Sequence, residues 1–137
     1  MKRQATAVWN GSGKEGKGHL STQSTVLDKT QYSFGSRFEE GIGTNPEELI
    51  GAAHAGCFSM KLSFNLSEAG FPPEEIQTKA TVNFENGAIT EITLDVNVTA
   101  QGISTDRFNE LAEDAKNNCP ISKLLNTKIT MNAVLGR

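Results

Sequence analysis

The sequence predicts an α+β fold, and three observations carry that prediction. A long, mostly apolar segment with helix caps at both ends fills residues 43–70. The clearest hairpin of the chain follows, with arms Ile76–Glu85 and Ala88–Ala100 turning on Asn86-Gly87. Strand-like alternation occupies both ends of the sequence. Strands, a long helix, a hairpin, further helices and a closing strand, in that order, describe an α+β domain.

Taken in order, residues 4–10 (QATAVWN) alternate as a strand, and residues 19–26 (HLSTQSTV) are its expected partner. Between them lies NGSGKEGKG. Gly11, Gly13 and Gly16 fit a dinucleotide fingerprint, and Gly11, Gly16 and Lys17 nearly fit a phosphate-binding loop. Either motif needs a helix immediately afterwards to aim its N-terminus at phosphate. Strand-like sequence follows instead, and Gly18 stands where a Ser or Thr would hold Mg²⁺, so a hairpin loop is expected. Residues 31–38 (QYSFGSRF) read as a short strand.

The long helix follows. Asn45 serves as N-cap, Pro46 fits the first helical position, and Glu48 stands where it closes a capping box. Gly70, Pro72 and Pro73 stop the other end. Apolar or small residues run from Leu49 to Leu66 too densely for a narrow stripe, so this helix is expected to be covered on most sides. In the hairpin, Ala80, Val82 and Phe84 alternate on one arm, and Ile92, Leu94, Val96 and Val98 on the other. Ser104 or Thr105 opens a second helix whose apolar face is Phe108, Leu111, Ala112, Ala115 and Cys119. Pro120 ends that helix and opens a short one, PISKLLN. The strand KITMNAVL closes the chain.

The 137 residues suffice for one domain spanning 1–137, with a core that needs no disulfide staple. A net charge of −3 offers no basic footprint for nucleic acid. Lys61 interrupts the best apolar run, so no membrane span is expected. The start, MKRQATAVWNG, has no apolar signal core, and a cytoplasmic location is the expectation. Two cysteines in a reducing compartment are inert core thiols or else redox groups.

Cys57 sits mid-helix among small residues, where it is either a small buried hydrophobe or a reactive thiol with a cation brought from elsewhere. Cys119, at a helix junction before a proline, either completes an apolar face or serves as a second thiol. His54 and Cys57 share a helix face and with Cys119 would make three metal ligands. Paired ligand spacings and a fourth ligand are missing, so no metal is expected. Arg37 lies upstream of the helix start as a strand-end residue, and Glu47 and Glu48 lie in the first helical turn. Glu there also suits the helix dipole.

The run GTNPEELIGAAHAGCFSM at 43–60, the segment NNCPISKLL at 117–125 and the RF at 37–38 resemble the osmotically inducible protein C family. That family includes the organic hydroperoxide resistance proteins. The likeness covers essentially the whole chain and is nearest the osmotically inducible branch. The resemblance implies an intertwined homodimer with antiparallel sheets around a long central helix, and a thiol peroxidase needing no cofactor. It implies that Cys57 is the peroxidatic nucleophile, Cys119 the resolving thiol, Arg37 the activating cation and Glu47 the residue that orients Arg37. It also implies organic hydroperoxides as substrates, hydrogen peroxide less so, and lipoylated proteins or another dithiol as reductant. A non-enzymatic module that binds an apolar ligand, or a stress-associated protein with silent thiols, is the alternative.

Those roles set a geometric condition. Ten helical residues rise about 15 Å, so Glu47 hardly reaches Cys57 along one straight helix. Two long helices packed antiparallel about a dyad would bring Glu47 of one chain towards Cys57 of the other, which predicts a shared site. Burial and Arg37 push the Cys57 thiol in opposite directions, and Arg37 is expected to prevail.

Overall fold

A computed structural model describes residues 1–136, in the order β1 Ala5–Asn10, β2 Lys17–Thr22, β3 Thr30–Tyr32, α1 Phe34–Phe38, α2 Pro46–Glu68, β4 Glu75–Glu85, β5 Ala88–Thr99, α3 Thr105–Asn118, α4 Pro120–Leu124 and β6 Lys128–Gly136. The α+β class stands. The chain divides into two compact units, Met1–Leu49 and Ile50–Arg137, and α2 carries residues of both.

In the first unit β1, β2 and β3 form an antiparallel meander. The Trp9 and Tyr32 rings lie 5.2 Å apart across it. Gly18 of β2 lets them close, since a Cβ there would stand 2.5 Å from the Trp9 ring and 2.6 Å from Tyr32. The glycine-rich segment is a hairpin loop. Trp9 Nε1 donates to the carbonyls of Gly11 and Ser12 at 3.1 and 3.2 Å, and a strand follows the loop, not a helix. The phosphate-binding motifs therefore lack the element they require.

Residues 31–38 correct the expectation of a strand. Pairing stops at Tyr32, and Ser33 caps the short helix α1: its hydroxyl accepts from Ser36 N–H at 3.2 Å while Ser36 Oγ accepts from Ser33 N–H at 2.8 Å. This reciprocal serine box satisfies the backbone donors locally, so the segment turns instead of extending the sheet. The start of α2 departs in a smaller way. Asn45 Oδ1 accepts from Glu48 N–H at 2.7 Å, as a cap should, but the Glu48 carboxylate takes the Thr44 hydroxyl at 2.7 Å.

In the second unit, β4 and β5 pair antiparallel around Asn86 (φ 50°) and Gly87 (φ 80°), the positive-φ pair of a type I′ turn. β6 pairs parallel to β5, from Glu91 beside Lys128 to Thr99 beside Gly136. An all-antiparallel arrangement is thereby corrected. The chain returns through α3 and α4, and a crossover of that length brings it back in the same direction. The central strand β5 points Ile92, Leu94, Val96 and Val98 into a core shared with Phe58, Leu62 and Leu66 of α2 and with Phe108, Ala112 and Ala115 of α3.

Helix α2 buries Gly51, His54, Phe58, Leu62, Asn65 and Leu66, a single stripe at helical spacing. Ala52, Gly56, Met60 and Phe64 make a second stripe at four-residue spacing, and it is exposed, Met60 at 65% and Phe64 at 59%. The expectation that α2 is covered on most sides is not met within one chain.

Candidate active site

Pro120 shapes the thiol site. It pushes the preceding residue out of the α region, and Cys119 is extended at φ −64°, ψ 140°. Cys119 thus closes α3, donating its N–H to Ala115 O at 3.0 Å, and also caps α4, its Sγ accepting from Ser122 N–H at 3.4 Å. Its side chain is fully buried.

Cys57, on α2, is half-buried, and both cysteines are free thiols. The Cys119 thiol lies close enough to Cys57 to influence its protonation. Burial, the largest influence, pushes the Cys57 thiol above its usual range; the backbone of Ile121 pulls it down, and the Cys119 thiol pushes it up again. Within this unit, burial prevails.

One turn before Cys57 lies His54, completely buried. Its Nε2 is 2.7 Å from Ser122 Oγ, and Ser122 Oγ is 3.1 Å from Cys119 Sγ. The four side chains therefore come from the first and fourth residues of two tetrapeptides, His54-Ala55-Gly56-Cys57 and Cys119-Pro120-Ile121-Ser122. Sequence reading passed over Ser122. The signal was there in its position, one helical turn after the cysteine that precedes the proline. Among the described residues no group of three or more His, Cys, Asp or Glu side chains is placed to hold a metal.

Burial lowers the His54 pKa, which fixes how it affects stability. The unfolded chain binds this proton near the ordinary value of about 6.5, while the folded chain resists it to lower pH. The stability linked to neutral His54 is complete above that pH and is lost as pH falls from there through the folded value. Urea midpoints measured from pH 7.5 to 5 are expected to fall more steeply for the native protein than for His54→Gln. Parallel slopes would show that His54 is not held neutral by the fold.

In the first unit, Arg37 at the end of α1 donates Nε–H to Glu47 Oε1 at 2.8 Å. Glu47 is largely buried, at 14% side-chain exposure, and its Oε2 is buried with no hydrogen-bond partner among the described residues. Arg37 lies over the Phe38 ring, 4.9 Å from its centroid. It also lines a cleft of about 250 Å³ with Trp9, Tyr32, Phe34 and Phe38. An ion pair there holds a guanidinium at the rim of an aromatic surface. The four residues singled out from the sequence thus fall into two pairs, Cys57 with Cys119 and Arg37 with Glu47.

Residues 39–133 match the family model described as OsmC-like protein. The chain belongs to the OsmC-like family. This OsmC-like chain is 47% identical to "Peroxiredoxin OsmC" of Escherichia coli (strain K12), over 96% of its own length and 95% of that relative. It is 29% identical to "Organic hydroperoxide resistance protein OhrB" of Bacillus subtilis (strain 168), over 77% of its own length and 79% of the relative. An OsmC-like protein from Mycoplasma pneumoniae superposes with a TM-score of 0.78 at 15% identity, covering 100% of this chain and 99% of the other, which is a likeness of fold. Among the described residues, no helix is long and apolar enough to cross a membrane.

Proposed function

We propose that this protein is a two-cysteine thiol peroxidase, a single functional domain over residues 1–137 that reduces organic hydroperoxides, and hydrogen peroxide less well, to alcohols or water. The observation that carries the reading is a half-buried Cys57 packed against the core that holds a fully buried Cys119, both free thiols, with Cys119 near enough to influence Cys57. A peroxidatic cysteine needs access to solvent and substrate, whereas a resolving cysteine needs only access to the first. The names of the E. coli and B. subtilis relatives point the same way.

In this mechanism the Cys57 thiolate attacks the distal peroxide oxygen. The O–O bond breaks, the alkoxide takes a proton and leaves as alcohol, and Cys57 becomes a sulfenic acid. Cys119 condenses with it to a disulfide before irreversible oxidation intervenes. A lipoylated protein, or another dithiol, then returns both thiols, and no cofactor takes part. The burial that raises the Cys57 pKa is a cost this chemistry must meet with a cation. Arg37, held by Glu47, is the group we assign to that task, across a homodimer in which the partner subunit's Arg37 serves each Cys57. The exposed stripe of Ala52, Gly56, Met60 and Phe64 supports an intertwined dimer, since it offers α2 an apolar face for a second copy. We place the enzyme in the cytoplasm.

Free-thiol counting after addition of one equivalent of cumene hydroperoxide tests the reading. Both thiols are expected to disappear together and to return with dihydrolipoamide. Retention of both thiols would end the peroxidase assignment and turn attention to a module that binds apolar ligands.

A further inference from the structure

We propose that Ser122 and His54 form a buried proton relay that takes the proton of Cys119 when this thiol resolves oxidised Cys57. The relay rests on the peroxidase reading and adds to it a route for one proton.

The resolving step poses a problem of placement. Cys119 must lose its proton to attack, yet its side chain is completely buried in the core, where bulk water does not reach. The proton therefore leaves along the hydrogen bonds that already exist. The Cys119 Sγ is 3.1 Å from Ser122 Oγ, and Ser122 Oγ is 2.7 Å from His54 Nε2, the shortest link in the chain. His54 is 0% exposed and Ser122 8%. The Ser122 N–H also points at the Cys119 sulfur, at 3.4 Å, ready to hold the charge that develops there.

The second observation concerns the other ring nitrogen. His54 Nδ1 is buried and has no hydrogen-bond partner among the described residues. A histidine placed only to tie helices together would be expected to satisfy both nitrogens, since a bare buried polar atom costs stability. If Nδ1 carries the hydrogen, Nε2 is a lone-pair acceptor facing Ser122. Burial favours the neutral ring, the form able to accept. Hydrogen bonds then run in one sense, from Cys119 S–H to Ser122 Oγ and from Ser122 O–H to His54 Nε2.

The step balances as follows. The Cys119 proton passes to Ser122 Oγ as the Ser122 proton passes to His54 Nε2. The Cys119 sulfur gives its electron pair to the Cys57 sulfur, forming the S–S bond. The S–O bond of the sulfenic acid breaks with its pair on oxygen, and the departing hydroxide takes up one proton to leave as water. His54 then releases its proton to solvent, replacing the one the hydroxide took from solvent, so the net change is sulfenic acid plus thiol to disulfide plus water. Cys119 is oxidised and Cys57 reduced by the same amount, and the peroxide of the first step supplied the oxidising equivalents.

Stopped-flow measurement of the two steps tests the relay, with dimedone trapping to follow the sulfenic acid and free-thiol loss to follow closure. His54→Gln keeps a polar group at the site but not a base, and Ser122→Ala removes the link. Either is expected to slow closure about 100-fold relative to sulfenic acid formation, the lower range for a positioned proton acceptor. Ser122→Thr, which retains the hydroxyl, is expected to recover most of the rate. A purely structural role would not produce that rescue or spare the preceding step. Closure in His54→Gln within about threefold of the native rate, with sulfenic acid forming normally, would overturn the relay while leaving the peroxidase reading intact; that margin is far below general-base effects. If no sulfenic acid forms in the native protein, the peroxidase reading fails and the relay with it. Should the variants not fold, closure of the native protein in H₂O–D₂O mixtures decides: a curved rate dependence marks two protons in flight, and the absence of any isotope effect excludes the relay.

Discussion

Cys57→Ser is expected to consume no peroxide above background, whatever reductant is supplied. Cys119→Ser is expected to consume about one equivalent per subunit and then stall, because its sulfenic acid has no resolving partner. The contrast follows from position. Serine at 57 removes the only one of the two thiols that is not fully buried, while serine at 119 leaves that thiol in place. Peroxide consumption with dihydrolipoamide, followed alongside mass spectrometry of the intact chain, measures both outcomes. Steady turnover in Cys57→Ser would move the chemistry to another group and dismiss the assigned roles.

The second large effect concerns Arg37. Arg37→Ala is expected to lower kcat/KM for cumene hydroperoxide by about 100- to 1000-fold, the range seen when one preorganised donor to a developing charge is lost. Arg37→Lys should recover only part of this, since an ammonium lacks the planar fork that, in the proposed role, would hold Glu47 and peroxide at once. The shared-site proposal adds a sharper outcome. Refolded together in equal amounts, Arg37→Ala and Cys57→Ser chains are expected to regain about a quarter of native activity. Half of the dimers are then mixed, and each mixed dimer has one intact site of two if Cys57 pairs with the partner's Arg37. A mixture as inactive as its components would place Arg37 and Cys57 together within one chain.

How legible the structure was depended on whether a local rule or a distant contact decided each element. The start of α2 was legible because Asn45 and Pro46 encode a cap in adjacent residues, and the β4–β5 turn because Asn86-Gly87 tolerates positive φ. The break at Cys119-Pro120 was legible for the same steric reason. Residues 34–38 were not, because their aromatic content resembles a strand and the serine box that folds them is a matter of two hydroxyl orientations. The direction of β6 was also hidden, since alternation specifies a strand but not its neighbour. At the site, both cysteines stood out by context, yet Ser122 acquires meaning only when a residue 68 positions away, His54, is brought to it. The bare stripe on α2 was invisible for a further reason: apolar sequence says that a face will be covered, not by what.

The parallel pairing of β6 with β5 also dictates an order of assembly. The β4–β5 hairpin and α2 close through near neighbours in sequence, whereas the Thr93 and Thr130 hydroxyls, 3.1 Å apart, meet across 37 residues. Pairings so distant pay a larger loop entropy and belong to the late part of folding. Cys119 lies inside the loop they close. During synthesis, then, the helix bearing Cys57 is complete while the second thiol has yet to leave the ribosome. The nascent protein passes through a stage in which it has the proposed peroxidatic sulfur but not the proposed resolving one.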